Sequence, residues 1–333
     1  MEKNHPKVNY GKTGVLIINL GTPDSTSWLD IRKYLREFLS DRRVIEVNPI
    51  IWQVILNVFI LNLRPSKTAE AYKKIWMKKE NMSPLRYFTI MQAKKLSDKI
   101  NKDSIIIDYA MRYGSPSIMQ KMNSLKKSGC ENIIILPLYP QYAAATTATV
   151  CDEVYRCLMK MRWQPSLQII PHYESEPLYI NALKNSLEKK ISEINWHPDL
   201  IVASYHGIPK KYFDKGDPYH CYCQKTTRLL NERTENDIEI KTTFQSRFGP
   251  QEWLQPYTDK TLEKLPREGK KNILLICPGF SSDCVETLEE IAIQGKETFL
   301  KNGGKNFDVV PCLNDSNDHI ELLLYLINKY LIK

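Results

Sequence analysis

The sequence predicts an α/β protein built from two similar Rossmann-like domains, each a mainly parallel sheet flanked by helices. Three observations carry that expectation. Eight short apolar runs alternate with longer stretches of helical periodicity along the 333 residues. Short strings recur in the same order in the two halves. Hydrophobic residues make up 42% of the chain, as a globular protein needs, and the length exceeds one ordinary core.

The runs are Val15–Leu20, Ile105–Ala110, Ile133–Leu136, Leu167–Ile170, Leu200–Ala203, Ile238–Thr242, Ile273–Ile276 and Phe307–Val310. Continuous apolar runs, rather than alternating ones, fit strands buried on both faces between helices. Between them, "DIRKYLREFLSD" places Ile31, Leu35 and Phe38–Leu39 on one helical face. "SIMQKMNSLKKSGC" reads as a helix stopped at Gly129. The closing "DHIELLLYLINKYL" sets Ile320, Leu323, Leu324 and Ile327 at helical spacing, so a final helix is expected to pack back across the first domain.

The repeat lies in three pairs of strings. "IINLGTP" resembles "VASYHGIP", "MRYGSP" resembles "SRFGP", and "ENIIILPLYPQY" resembles "KNILLICPGFSS". A duplicated domain explains their common order. The expected division is 1–172, with a long insertion around 25–90 and the C-terminal helix of about 315–333, against 173–314.

A net charge of +9 raises nucleic acid and anionic membranes as partners. No aromatic-interleaved basic stripe or zinc-finger spacing accompanies it, so no nucleic-acid partner is expected. Eight cysteines without a secretory leader read as reduced thiols in the cytoplasm. His220, Cys221 and Cys223 form a weak metal candidate, because Cys-x-Cys is tighter than the usual knuckle. The run "IIWQVILNVFIL" at 50–61 is too short to span a bilayer. It is either a buried helix or an exposed apolar lip.

In doubly wound sheets, ligands bind beyond the carboxyl ends of the strands. The repeated strings all fall there. Leu20, Arg112, Tyr113, Tyr139, His206, Phe280 and the acids after Phe280 should therefore converge on one cleft. His206 sits in a Gly- and Pro-containing loop at a strand end, placed either to accept protons or ligate metal, or simply to bond its own loop. Asp283, Glu286 and Glu290 fall at helical spacing. Acids favour a helix's first turn, which accounts for Asp283 but not Glu290. Such a stripe suits protons or a hard cation. No Gly-x-Gly-x-x-Gly, Walker or Gly-x-Ser-x-Gly pattern occurs.

Taken together, "INLGTP", "MRYGSP", "LPLYPQYAAATT", "SYHGIPKKYFDKGDPYHCYC", "QSRFGPQEWLQPYTD" and "GFSSDCVETLEE" resemble ferrochelatase, over about residues 13–312 and in the family's order. The "GDPYHCYC" string is similar to the Gram-negative bacterial branch. The resemblance implies a lyase that inserts Fe2+ into protoporphyrin IX to form protoheme. It implies His206 as proton acceptor or metal ligand, Glu286 opposite it, and Asp283 and Glu290 as the acidic row behind. It matches Leu20, Tyr72, Arg112, Tyr113, Tyr139, Trp253 and Phe280 to porphyrin-lining positions, and the run 50–61 to a lip that meets the inner membrane peripherally.

Some family members bind a [2Fe–2S] cluster through a cysteine in the Tyr-Pro-Gln-Tyr loop and a C-terminal extension. Ala144 stands at the loop position here and Cys312 is the last cysteine, so no cluster and no tightly bound cofactor are expected. Cys284 stands where some relatives have a second histidine, and Gln294 where the acidic row would continue. A monomer is expected. The alternative readings are a coproporphyrin ferrochelatase, a cobalt chelatase of sirohydrochlorin type, or a porphyrin or heme carrier.

Overall fold

The computed structural model describes residues 9–100, 103–234 and 237–331. Residues 1–8, 101–102, 235–236 and 332–333, which the expected domain division includes, lie outside the described residues.

The described elements run β1 (Lys12–Thr22), α1 (Trp28–Leu39), α2 (Pro49–Ile55), α3 (Leu61–Ile75), α4 (Pro84–Ile100), β2 (Ile105–Gly114), α5 (Ile118–Lys127), β3 (Cys130–Pro137), α6 (Thr149–Met159), β4 (Ser166–Ile169), α7 (Pro177–Glu193) and β5 (Leu200–His206). They continue with α8 (Lys210–Asp214), α9 (Tyr219–Arg233), β6 (Ile240–Gln245), α10 (Thr258–Lys264), β7 (Asn272–Ile276), α11 (Lys296–Lys301), β8 (Asn306–Val309) and α12 (Asn317–Asn328). Three segments wind as π-helix: Leu56–Ile60, Ala144–Ala148 and Glu286–Gly295.

All eight predicted strands form. They make two parallel four-stranded sheets, in the orders β2-β1-β3-β4 and β6-β5-β7-β8. The second order is the first advanced by four, as a duplication requires. In each sheet the central pair, β1 with β3 and β5 with β7, is where successive connections leave in opposite directions. That switch point is where a doubly wound sheet opens a crevice.

Side chains alternate across a strand, so each sheet has two faces to cover. On the first, Leu16 and Ile18 pack with Met122, Val150 and Val154. Val15 and Ile17 point the other way, into a cluster that also holds Ile201, Ala203, Leu183, Ile320 and Leu323. One apolar core therefore joins the two sheets. The far face of the second sheet buries Val202, Ile273 and Leu275 against Phe299 and Phe307.

Helix limits follow local chemistry. The Ser27, Ser117 and Ser316 hydroxyls cap α1, α5 and α12 by accepting from backbone N–H groups three residues on. Gly129 follows α5 with φ +95°. Helix α12 lies against α4 and α7. Lys99 on α4 pairs with its Glu321.

The apolar run 50–61 is an exposed lip rather than a buried helix. Leu56 and Leu61 are buried and Trp52 and Ile60 pack partly against the same core, while Ile50, Ile51, Val54, Val58, Phe59 and Leu63 are each more than half exposed. Among the described residues no helix is long and apolar enough to cross a membrane.

Candidate active site

His206 is the last residue of β5, where β6 runs alongside and sets it opposite Gln245. Its Nδ1 lies 2.6 Å from the Gly207 carbonyl oxygen. A carbonyl only accepts, so Nδ1 carries a proton, and in the neutral ring the lone pair is then on Nε2. Close packing holds this loop. A Cβ on Gly207 would lie 2.9 Å from the Gln245 carbonyl oxygen and 3.2 Å from the Trp253 ring. Trp253 bridges to Pro209 and donates its indole N–H to the Phe248 carbonyl. It also walls a hollow of about 220 Å³ with Phe213 and His220.

The acids after Phe280 divide into distinct environments. Asp283 is buried with both carboxylate oxygens engaged. Oδ2 accepts from the Asn314 amide at 2.7 Å, and Oδ1 accepts from the Thr287 hydroxyl at 3.0 Å. Glu290 accepts from the Ser246 N–H at 2.8 Å and the Ser246 hydroxyl at 2.5 Å. Burial raises the Glu290 carboxyl above its usual range. Ser246 and His206 pull it back down, and Glu286 pushes it up. Glu286 is half-buried, and Gln245 donates to its backbone carbonyl at 2.9 Å. Burial first, then the Glu286 carboxylate, pushes the Cys284 thiol up and keeps it neutral.

The opposite wall comes from the first half. Leu20, at the end of β1, packs at the junction of three apolar clusters. One holds Tyr139, one holds Tyr72 and Tyr113, and one holds Met111 and Cys284 with Phe280 at its edge. Val285 packs into the Tyr72 cluster, which brings the turn beside Glu286 against that wall. Burial first, then the Glu286 carboxylate, drives the Tyr72 hydroxyl far above its ordinary value. Tyr34 on α1 feels burial, Tyr72 and Glu286 in that order.

Arg112 and Tyr113 are buried beneath this wall. The Arg112 guanidinium reaches Asp41 at 2.5 Å, and the Tyr113 hydroxyl donates to the same carboxylate at 2.9 Å. The Tyr139 hydroxyl is buried with no hydrogen-bond partner among the described residues.

The structure thus gathers Leu20, Tyr72, Tyr139 and Phe280 on one apolar wall with Tyr113 buried beneath it, and sets His206 near Glu290. Asp283, Arg112 and Trp253 are each engaged in hydrogen bonds, with Asn314, Asp41 and Phe248 respectively. Cys223 is buried and Cys221 exposed on α9. Among the described residues no group of three His, Cys, Asp or Glu side chains is arranged to hold a metal, either there or at His206. Sequence reasoning passed over Gln245, Ser246, Asn314, Tyr34 and Lys74. The "QS" before Arg247 was the available signal for the first two, since it closes the strand paired with the one that carries His206.

Two parallel sheets of one strand order joined by a common apolar core make the fold seen in solved chelatases. The sirohydrochlorin chelatase SirB from Bacillus subtilis subspecies spizizenii, solved in complex with cobalt, superposes with a TM-score of 0.57 at 9% identity, covering 96% of this chain and 94% of that one. A family model described as Ferrochelatase matches residues 12–331. The ferrochelatase of Allorhizobium ampelinum is 54% identical, over 99% of this chain and 97% of its own length. That of Rhizobium meliloti is 53% identical, over 98% and 97%. The chain belongs to the ferrochelatase family, the lyases of heme synthesis that insert iron into a porphyrin.

Proposed function

We propose that this chain inserts Fe2+ into protoporphyrin IX with His206 and Glu286 as the central pair. Two pyrrole N–H protons must leave as the metal enters. His206 Nε2 is the open lone pair on one wall, suited to accept a proton or hold the incoming ion. Glu286 and Glu290 form the carboxylate path for metal and protons. Asp283, with both oxygens already accepting, anchors the start of that path. The macrocycle lies on the wall of Leu20, Tyr72, Tyr139 and Phe280, which Tyr113 backs from beneath, with Trp253 behind the His206 loop. A pocket that distorts the ring exposes a nitrogen lone pair, and remote binding energy offsets the strain.

The observation that carries this reading is the Nδ1 contact of His206 with Gly207, which makes Nε2 the lone-pair nitrogen of the neutral ring, beside Glu290. The lip 50–61 is proposed to rest on a membrane surface, the chain to act as a monomer, and the chemistry to need no iron–sulfur cluster. The domain division 1–172 with about 315–333, against 173–314, belongs to the same reading. Glu286→Gln tests the assignment. It should lose turnover by about 10²–10⁴-fold while porphyrin affinity holds. Equal loss of both would remove Glu286 from the role.

A further inference from the structure

Of the carboxylates after Phe280, Glu289 is the one that forms an ion pair with a lysine of α3. Its side chain is 7% exposed, and Lys74 Nζ lies 2.8 Å from Oε1. The Gln294 amide donates to Oε1 at 3.0 Å and to Oε2 at 2.7 Å. Gln294 stands five residues on, which is the step of one π-helical turn. Lys74 is half exposed at the end of α3, so its ammonium covers the carboxylate from the solvent side.

A carboxylate this buried needs a cation or a proton. It lies on the same helix as Glu286 and Glu290, so an uncovered Glu289 would offer a hard divalent cation a resting place beside the productive path. An ammonium fills that place with a charge that cannot pass into a porphyrin. Gln294 supplies neutral donors, which stabilise the anion without adding a ligand charge for a metal.

We infer that Lys74 is a specificity-determining residue: its ammonium occupies a latent cation site built from Glu289 and Gln294. Divalent metal is thereby not retained on the outer side of the π-helix, and it passes only by Glu286 and Glu290. This rests on reading those two residues as the metal path.

The test uses the full-length chain without porphyrin, titrated with Mn2+ and followed by the EPR signal of the free ion. Lys74→Met should take up about one more Mn2+ per chain than the parent, and Lys74→Met/Glu289→Gln should return to the parent count. Lys74→Arg should match the parent. An unchanged count in Lys74→Met, or an extra ion that survives in the double variant, overturns the inference. Should Lys74→Met not fold, Glu289→Gln alone decides. Its KM for the inserted metal should stay within about twofold of the parent. A large rise would put Glu289 on the metal path and overturn the inference. Full turnover in Glu286→Gln would sink the underlying reading instead, leaving the Mn2+ count to judge Lys74 separately.

Discussion

Ser246 holds the Glu290 carboxylate at both oxygens, with its backbone N–H on Oε1 and its hydroxyl on Oε2. The grip requires Ser246 to sit at φ +64°, a region non-glycine residues rarely occupy. The preceding residue, Gln245, bonds the Glu286 carbonyl and accepts from the Gly207 N–H. One dipeptide thus sets the spacing between the His206 loop and the acidic helix.

The first prediction concerns that grip. Hydrogen bonds to a carboxylate favour its ionised form, so removing the Ser246 hydroxyl should raise the Glu290 pKa beyond its present elevation. Ser246→Ala should move the acid limb of the kcat profile to higher pH and lower kcat about tenfold. Porphyrin affinity should be retained. An unmoved acid limb would mean that Glu290 does not titrate in the reaction.

Gly21, the residue before the last of β1, has φ +113°, and a Cβ there would lie 1.8 Å from the Tyr113 carbonyl oxygen. Neither the dihedral nor the space admits a side chain. Gly21→Ala should cost at least about 3 kcal/mol, read as a large fall in Tm. A near-native Tm would show that the β1–β2 ladder relaxes there.

His319 in α12 is fully buried and donates its Nδ1 proton to the Asn314 carbonyl, while the Asn314 side chain holds Asp283. Burial holds the His319 pKa down to about 4. The unfolded chain therefore binds a proton that the folded one refuses between pH 6.5 and 4. Stability is complete above that window and falls through it by up to about 3 kcal/mol. Thermal unfolding across the window should show the slope, and His319→Gln should flatten it. A parent chain with no slope would contradict this assignment.

The exposed lip gives a fourth prediction. Val54 and Phe59 are each 56% exposed within an apolar patch. Val54→Glu/Phe59→Glu should reduce cosedimentation with anionic phospholipid vesicles while leaving Tm within about 1 °C, since neither residue supports the core. Undiminished cosedimentation would move the membrane contact elsewhere.

The eight strands were legible because a parallel strand buried on both faces writes itself as an unbroken apolar run. Their ends were not. β1 extends from Val15–Leu20 to Lys12–Thr22 because β2 and β3 pair with both its edges, so polar terminal residues stay in the ladder. The repeat foretold two sheets of one strand order, since each repeated string closes a strand.

For the site, His206 and the acid row could be placed on strand and helix ends from spacing alone. The fate of each acid could not. Lys74 lies 215 positions before Glu289 and Asn314 lies 31 after Asp283. Neither partner has a local signature. The π-helical winding that brings Gln294 to Glu289 was equally hidden, because Glu286 and Glu290 are four apart under α-helical spacing too. Whether the run 50–61 faced inward or outward depended on what lay across from it, which periodicity does not report.

The most direct measurement is anaerobic incubation of the purified chain with protoporphyrin IX and Fe2+, with Zn2+ as an oxygen-tolerant proxy. Loss of free-porphyrin fluorescence is followed beside His206→Ala. The account predicts many turnovers for the parent and a rate lower by about 10²–10⁴-fold in the variant, with porphyrin still bound. Metalation by His206→Ala at the parent rate would contradict the central place given to that imidazole.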